Sequence, residues 1–426
     1  MRFRRNHLVW VCLLAVTLGG LVTGWARNPT PPAAATTAGA TGPSVEERLT
    51  ALEAFFSARV ARDPIAMSAM NSLANVYVAR ARLNGDEAYY RKAEGLLEGS
   101  LKVTDSEYNL DARVQLAAVR LAQHRFREAR EMAEQVLVYH PKHKDAIALI
   151  GDALLEQGDL KGAGSYYDDL LALGPGVGAY SRVARLAEKQ GRRRSAERGY
   201  AQALAAADET GGEPAAWIRA MIADFRIKTG DYDEARVWLQ QALDIVPEYY
   251  LAFQYLAEIE QCEGNYEGAH TLLQKSIARG RTPESLLRLA KVEESRNNLM
   301  AAETLRDLAI AQLEVTVAQG GQGHLRALAN ALLDHHIDAP RALLLAEQDL
   351  EVRQGYEAHA TMARALAANG ELLRACVHMN TAIASQPLDP DLYLAAAEIY
   401  GAYGDQAASE AASQTAFRIN PRLAVR

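Results

Sequence analysis

Three cysteines in 426 residues are too few for a disulfide framework. Cys12 stands in an apolar segment, while Cys262 and Cys376 fall about three units apart in the repeating pattern described below, farther than the few ångströms between α-carbons that a bridge requires. Trp10 and Val11 precede Cys12 where a lipid-attachment box would carry small residues, so no lipid is expected there. Lysine is scarce as well, with 9 against 37 arginines, and the formal charge is -7 at a pI near 5.9. The densest basic run, Arg192–Arg194, reads as a solvated turn between helices. A phosphate backbone would find no electrostatic footprint on such a chain, so nucleic acid is not expected as a partner.

Alternating polar and apolar stretches of useful length are missing too, which argues against strands and for an all-α class. Catalytic signatures are likewise missing: the sequence holds no His-Glu-x-x-His, Cys-x-x-Cys, Gly-x-x-x-x-Gly-Lys or Gly-x-Ser-x-Gly. His335 and His336 are adjacent, with His324 nearby. On a helix, however, neighbouring side chains diverge by about 100°, and no carboxylate stands at ligand spacing. Gly174–Gly178, "GPGVG", has the composition of a phosphate loop but follows a helical pattern instead of a strand, which makes it a turn. No enzyme activity, cofactor or metal is expected.

A long hydrophobic run occurs in one place, Leu8–Trp25, after Arg2, Arg4 and Arg5. As a helix its length would be about 27 Å, the lower limit for crossing a bilayer. Gly19-Gly20 and the small residues Gly24 and Ala26 suit a cleaved signal peptide. Trp25 followed by Arg27 suits a retained membrane anchor. Both readings of residues 1–26 stand, and both place the rest of the chain in an exported location, periplasmic or extracellular; membrane contact is expected only through residues 8–26 if they are uncleaved. Residues 27–43, rich in Pro, Ala and Thr, read as a flexible tether.

The remainder is helical with regular punctuation. Ser44 and Glu47 form a capping box that opens a helix over 44–64, with Val45, Leu49, Leu52, Phe55, Phe56 and Val60 on its apolar side. Gly158, Gly191, Gly230, Gly264, Gly370 and Gly404 then each divide two helical patterns, several of them 33 or 34 residues apart. Pro141, Pro175, Pro247, Pro387 and Pro421 stand where the second pattern of a pair stops, since proline lacks the amide to continue it.

These units resemble tetratricopeptide repeats, whose 34-residue pattern runs through a Leu-Gly pair, a Tyr, an Ala, a Phe and a Pro. Ile150-Gly151, Leu154, Ala163, Tyr167 and Pro175 follow it in one unit; Ile222-Ala223, Tyr232, Ala235, Leu239, Ala242 and Pro247 follow it in another. About ten such units cover roughly residues 65 to 423. The first carries an insertion over Leu83–Tyr90, in which Tyr89 and Tyr90 read as core filler or a contact point. In the seventh, Asn297-Asn298 replace the glycine turn. The eighth breaks register at Ile337–Pro340. Between these last two, residues 319–324 read as a hinge separating a front array, 65–318, from a rear array, 325–426. The resemblance implies a right-handed superhelical solenoid of helical hairpins and a role in protein binding.

A lone hairpin cannot offset a backbone entropy of about 1–2 kcal/mol per residue, so the units must stack, and the first helices line a hollow. Helical spacing puts Asp145, Asp152, Glu156 and Glu188 on the inner side, followed by Asp224, Glu258 and Glu294. Arg185, Lys228, Lys291 and Arg364 stand against them. The balance predicts a net acidic groove that favours an extended, basic peptide or protein segment. The first units offer Gln115, Asp145 and Leu149 where a carboxylate clamp needs basic groups, so a C-terminal carboxylate is not the expected ligand. The reading is a binding scaffold at the cell envelope; an accessory, substrate-recruiting subunit of an envelope complex is the alternative.

Overall fold

The computed structural model describes residues 45–84, 86–104, 107–318 and 321–425. The signal or anchor segment, the tether and the capping residue Ser44 lie outside the described residues. The described chain is an all-α, right-handed superhelical solenoid without strands. It opens with α1 (Val45–Arg62), and ten hairpins follow. The first five are α2 (Met67–Asn84) with α3 (Ala88–Val103), α4 (Leu110–Ala122) with α5 (Phe126–Tyr139), α6 (Lys144–Glu156) with α7 (Leu160–Leu173), α8 (Val177–Lys189) with α9 (Arg193–Thr210), and α10 (Gly212–Lys228) with α11 (Tyr232–Ile245). The second five are α12 (Tyr250–Cys262) with α13 (Tyr266–Arg279), α14 (Pro283–Ser295) with α15 (Leu299–Ala318), α16 (Leu325–Asp334) with α17 (Ala339–Val352), α18 (Tyr356–Ala368) with α19 (Leu372–Ile383), and α20 (Pro390–Tyr403) with α21 (Gln406–Ile419).

Small residues set how closely the two helices of a hairpin approach. Ala93, Ala129, Ala163, Ala196, Ala235, Ala269, Ala302, Ala342 and Ala375 occupy the same place in the second helix of successive hairpins, and all are buried. Gly151 shows why the Leu-Gly position wants no side chain: a Cβ there would lie 2.5 Å from Cε1 of Tyr167, the large residue that fills the space beside the alanine. Where a unit lacks the turn glycine, another residue takes the same left-handed conformation. His124 (φ 61°), Asn297 (φ 61°) and His336 (φ 53°) do so in the second, seventh and eighth hairpins. The apparent insertion in the first unit is absorbed by α2, which continues to Asn84, and Tyr90 is buried against the core.

The lid helix α1 buries Leu49 on the first hairpin. It is also held by Arg80, which pairs with Glu46 and with Glu53 (2.8 Å) and donates to Thr50 Oγ1 (2.9 Å). Phe55, read as part of its apolar side, is exposed.

The solenoid winds until its edges meet. At Gln157-Gly158, the turn of the third hairpin, the Gln157 carbonyl accepts from the Gln354 amide (3.2 Å) in the junction between the eighth and ninth hairpins. The fourth hairpin's turn repeats this one step on, with the Leu388 amide donating to the Glu188 carbonyl (3.0 Å). At the fifth, Asn420 Nδ2 donates to the Ile227 carbonyl (3.2 Å). At the second, Arg353 reaches across to Phe126. Each turn thus meets the junction five to six hairpins later, and a continuous seam joins one coil of the superhelix to the next.

The segment 319–324, read as a hinge, lies on this seam. Its described part forms a short 3-10 turn, Gln322–His324. Gly323 packs on the ring of His124, its carbonyl accepts from Arg353 Nη2 (3.0 Å), and His324 Nε2 lies 2.8 Å from Glu87 Oε2. The apolar core also continues past it: Leu286, Leu287, Ala309 and Leu313 share one cluster with residues of α16.

Candidate functional site

The first helices of the hairpins line the inner wall, and their charges are arranged as a ladder between neighbouring units. Asp152 receives Arg182 through both carboxylate oxygens (2.8–3.1 Å), and Tyr167 Oη donates to its Oδ1 (2.8 Å). Glu156 faces Arg185 (3.8 Å), and Glu258 pairs with Arg288 (2.9 Å). Lys228 bridges Asp224 (2.6 Å) and Glu188 (3.5 Å), with Tyr200 donating to Glu188. In the seventh hairpin Arg306 pairs with Glu294 (2.8 Å), and in the rear units Arg364 pairs with Asp334. The acidity read from the inner side is therefore compensated within the wall, mostly by cations of the next unit, and at Asp224 and Glu294 by a cation of the same unit. Asp145 is half-buried, and burial pushes its carboxyl up despite nearby His143 and Arg182.

Because the coils touch, rear residues come down onto the front wall. Glu357, at the start of α18, pairs with Lys189 of α8; burial opposes its ionisation, yet Lys189 and Arg326 hold its carboxyl at about 2. Glu156, buried nearby, is pushed up. Asp391, in the first turn of α20, is pushed well above the carboxylate range by burial and then by Asp389 and Glu258. Burial and Arg353 lower Arg326 to about 10.

Toward the free end of the rear coil the wall opens into a cleft of about 590 Å³. Helices α14, α16, α18 and α20 supply most of its lining, with Arg306 of α15 and Leu372 of α19. Leu287, Ala331, Ala367, Ala395 and Ile399 make an apolar floor of mostly small residues. Lys291, Glu294, Arg306, Asp334, Arg364 and Glu398 supply the polar positions. Of the residues read as partner-binding, Lys291, Glu294 and Arg364 come together in this cleft. Asp152, Glu156, Arg185, Glu188, Asp224, Lys228 and Glu258 are placed in the closed wall. Arg182, Arg288 and Asp334 were not among them. A signal for these exists in the sequence: Asp152/Arg182, Glu258/Arg288 and Asp334/Arg364 are each spaced by 30 residues, near one repeat length.

His335 of the adjacent histidine pair lies 3.4 Å from Glu294 and 3.1 Å from Arg306 Nη1, and its ring is held below the usual histidine range by burial. Among the described residues no group of three or more His, Cys, Asp or Glu is placed to hold a metal ion, and no helix is long and apolar enough to cross a membrane.

Residues 114–177 and 218–249 match tetratricopeptide-repeat family models. These segments carry tetratricopeptide repeats, and the other hairpins repeat their helix pairing and buried alanines. No curated protein matches it in sequence. Similar solved structures include the Cut9–Hcn1 hetero-tetramer of the APC/C (13% identity over 88% of this chain and 91% of that one, TM-score 0.40). A human IFIT1 dimer with PPP-AAAA is similar at 13% identity, 88% and 95% coverage and TM-score 0.47. PilW, a type IV pilus biogenesis factor, is similar at 20% identity, 50% and 95% coverage and TM-score 0.39.

Proposed function

We propose that this chain is a protein-interaction scaffold that holds a segment of another protein in the cleft formed by α14, α16, α18 and α20. The observation that carries this reading is the contrast along one wall. From the third to the sixth hairpin the inner charges are buried and paired, whereas the rear units leave an open hollow. A floor of alanines lets a partner's backbone or helix approach closely, and flanking charges of both signs fix its register.

The test uses a photo-crosslinking side chain at Ala368 or Ala402, both exposed in the cleft, and at Val237, exposed on the outer surface. One adduct is expected from the cleft positions and none from Val237, and Ala402→Trp should suppress the Ala368 adduct at least tenfold. Equal labelling from Val237 would sink the proposal. A basic partner along the front wall is tested separately at Asp145, because reversing Asp152 or Glu156 would break buried pairs.

The export expectation is part of the same proposal and rests on the apolar run Leu8–Trp25 after three arginines. Protease added to intact cells or spheroplasts should degrade a C-terminal tag on the full chain; a protected tag would count against export.

A further inference from the structure

The seam leaves two edges of the superhelix uncovered, and they match each other. On the covered edge the turn residues are sealed by the next coil: a Cβ on Gly158 would meet the Gln354 carbonyl oxygen at 2.5 Å, and one on Gly230 would meet Asn420 Oδ1 at 2.6 Å. The corresponding glycines of the later units, Gly264, Gly370 and Gly404, have nothing within 4 Å. The first residue of the second helix tells the same story. Phe126 and Tyr232 are buried under Arg353 and Arg422, whereas Leu299 stands exposed, with Met300 beside it at 82%. Ile337, Leu373 and Tyr403 continue this bare apolar row through the eighth, ninth and tenth hairpins.

The opposite edge is bare at the front. Ile65, Val103, Tyr108 (81% exposed), Val138 and Tyr139 lie at the junctions leading into α2, α4 and α6, the edge that the rear coil uses to form its half of the seam. The charges on the two edges are opposite in sign as well. Asp338 and Asp405 cap the second helices on the bare turn edge, and Lys102 and Lys142 stand exposed on the bare junction edge. Within the chain the seam already pairs such groups: Arg422 of the rear coil meets Asp233 (3.0 Å) and Glu263 (3.5 Å) on front turns.

We propose that a second copy of this chain continues the seam, its front junction edge seated on the first copy's rear turn edge, so that copies stack head to tail. The internal offset of five to six hairpins gives the register: Tyr108 of one copy falls beside Leu299 and Met300 of the other, and Val138 and Tyr139 fall beside Ile337. Because the two edges differ, the contact is heterologous and open-ended, and it builds chains longer than dimers.

The experiment oxidises full-length chains carrying Met300→Cys, Tyr108→Cys, or both; the two side chains are exposed, so neither change touches the core. Each single variant alone should give no dimer beyond the parent chain's background. A mixture of the two should give a one-to-one disulfide dimer and nothing larger, and the doubly substituted chain should give a ladder. Leu373→Glu, on the same edge but away from the bridge, should reduce the cross-linked yield at least tenfold. Failure of the mixture to cross-link overturns the proposal and leaves these edges to a different protein. Dimers of Met300→Cys alone would overturn it in favour of a two-fold contact. Neither outcome touches the cleft, whose test reads different residues.

Discussion

The guanidinium of Arg353 lies over the ring of Phe126, 5.2 Å from its centroid, although 227 positions separate them in the chain. Arg422 stands over Tyr232 in the same way at 4.8 Å. Both aromatics are the first residue of a second helix, and both arginines come from the coil above. Such pairs turn a ribbon of hairpins, which would need only its nearest neighbours, into a wound body with contacts between distant units.

Arg353 is the stronger of the two clasps. It is 1% exposed, pairs with the equally buried Asp349 and donates to the Gly323 carbonyl. Arg353→Ala leaves a buried carboxylate uncompensated and is expected to cost about 3–5 kcal/mol. Arg422→Ala, with a half-exposed side chain, should cost under about 1 kcal/mol. Denaturant titration measures both, and hydrogen exchange should show His124–Phe126 and Gly321–His324 losing protection together in Arg353→Ala.

Two turn glycines separate backbone strain from seam contact. Gly370 (φ 82°) has open space around it, so Gly370→Ala should cost only the left-handed penalty, about 1–2 kcal/mol. Gly158 (φ 87°) carries the same strain and also faces the Gln354 carbonyl, so Gly158→Ala should cost about 1–3 kcal/mol more. Equal losses in thermal unfolding would mean that the seam does not hold the coils together.

The ladder of the inner wall makes a prediction about coupling. Arg182→Ala should destabilise by about 3–5 kcal/mol because Asp152 is left buried, and the Asp152→Ala/Arg182→Ala cycle should show strong non-additivity. The exposed pair Arg374–Glu371 should show a coupling below about 1 kcal/mol.

Two carboxylates give opposite responses to acid. Glu357 is depressed in the folded state, so its contribution is present above its ordinary value of 4.5 and is lost as pH falls through about 2. Glu357→Gln should therefore be less stable than the parent at pH 7, and the gap should close across that window. Asp391 is raised, so its ionised form opposes folding at neutral pH and protonation relieves it. Asp391→Asn should be more stable than the parent at pH 7, with the advantage shrinking as pH falls through the raised value. Melting temperatures across a pH series test both signs.

Much of the fold was legible because its signals are local. The turn glycines, terminating prolines and buried alanines each report on a few neighbouring residues, and together they place ten hairpins. Units with an unusual turn residue were harder to read, since His124, Asn297 and His336 adopt the left-handed conformation that marks the other turns by glycine. The candidate site was legible in part. Helical spacing found Lys291, Glu294 and Arg364, but it put the front-wall carboxylates in the same class, because periodicity reports which face a residue is on and not whether another coil covers that face.

The sequence by itself determined the helical class, the hairpin unit and the stacking of neighbours, because each depends on interactions repeated within about one repeat length. Tertiary structure alone decided that the coils touch, that Glu357 of the rear coil comes down on Lys189 of the front wall, and that the hollow stays open under α14 to α20. Those outcomes follow from small rotations summed over five or six hairpins, and no single stretch of residues encodes the sum.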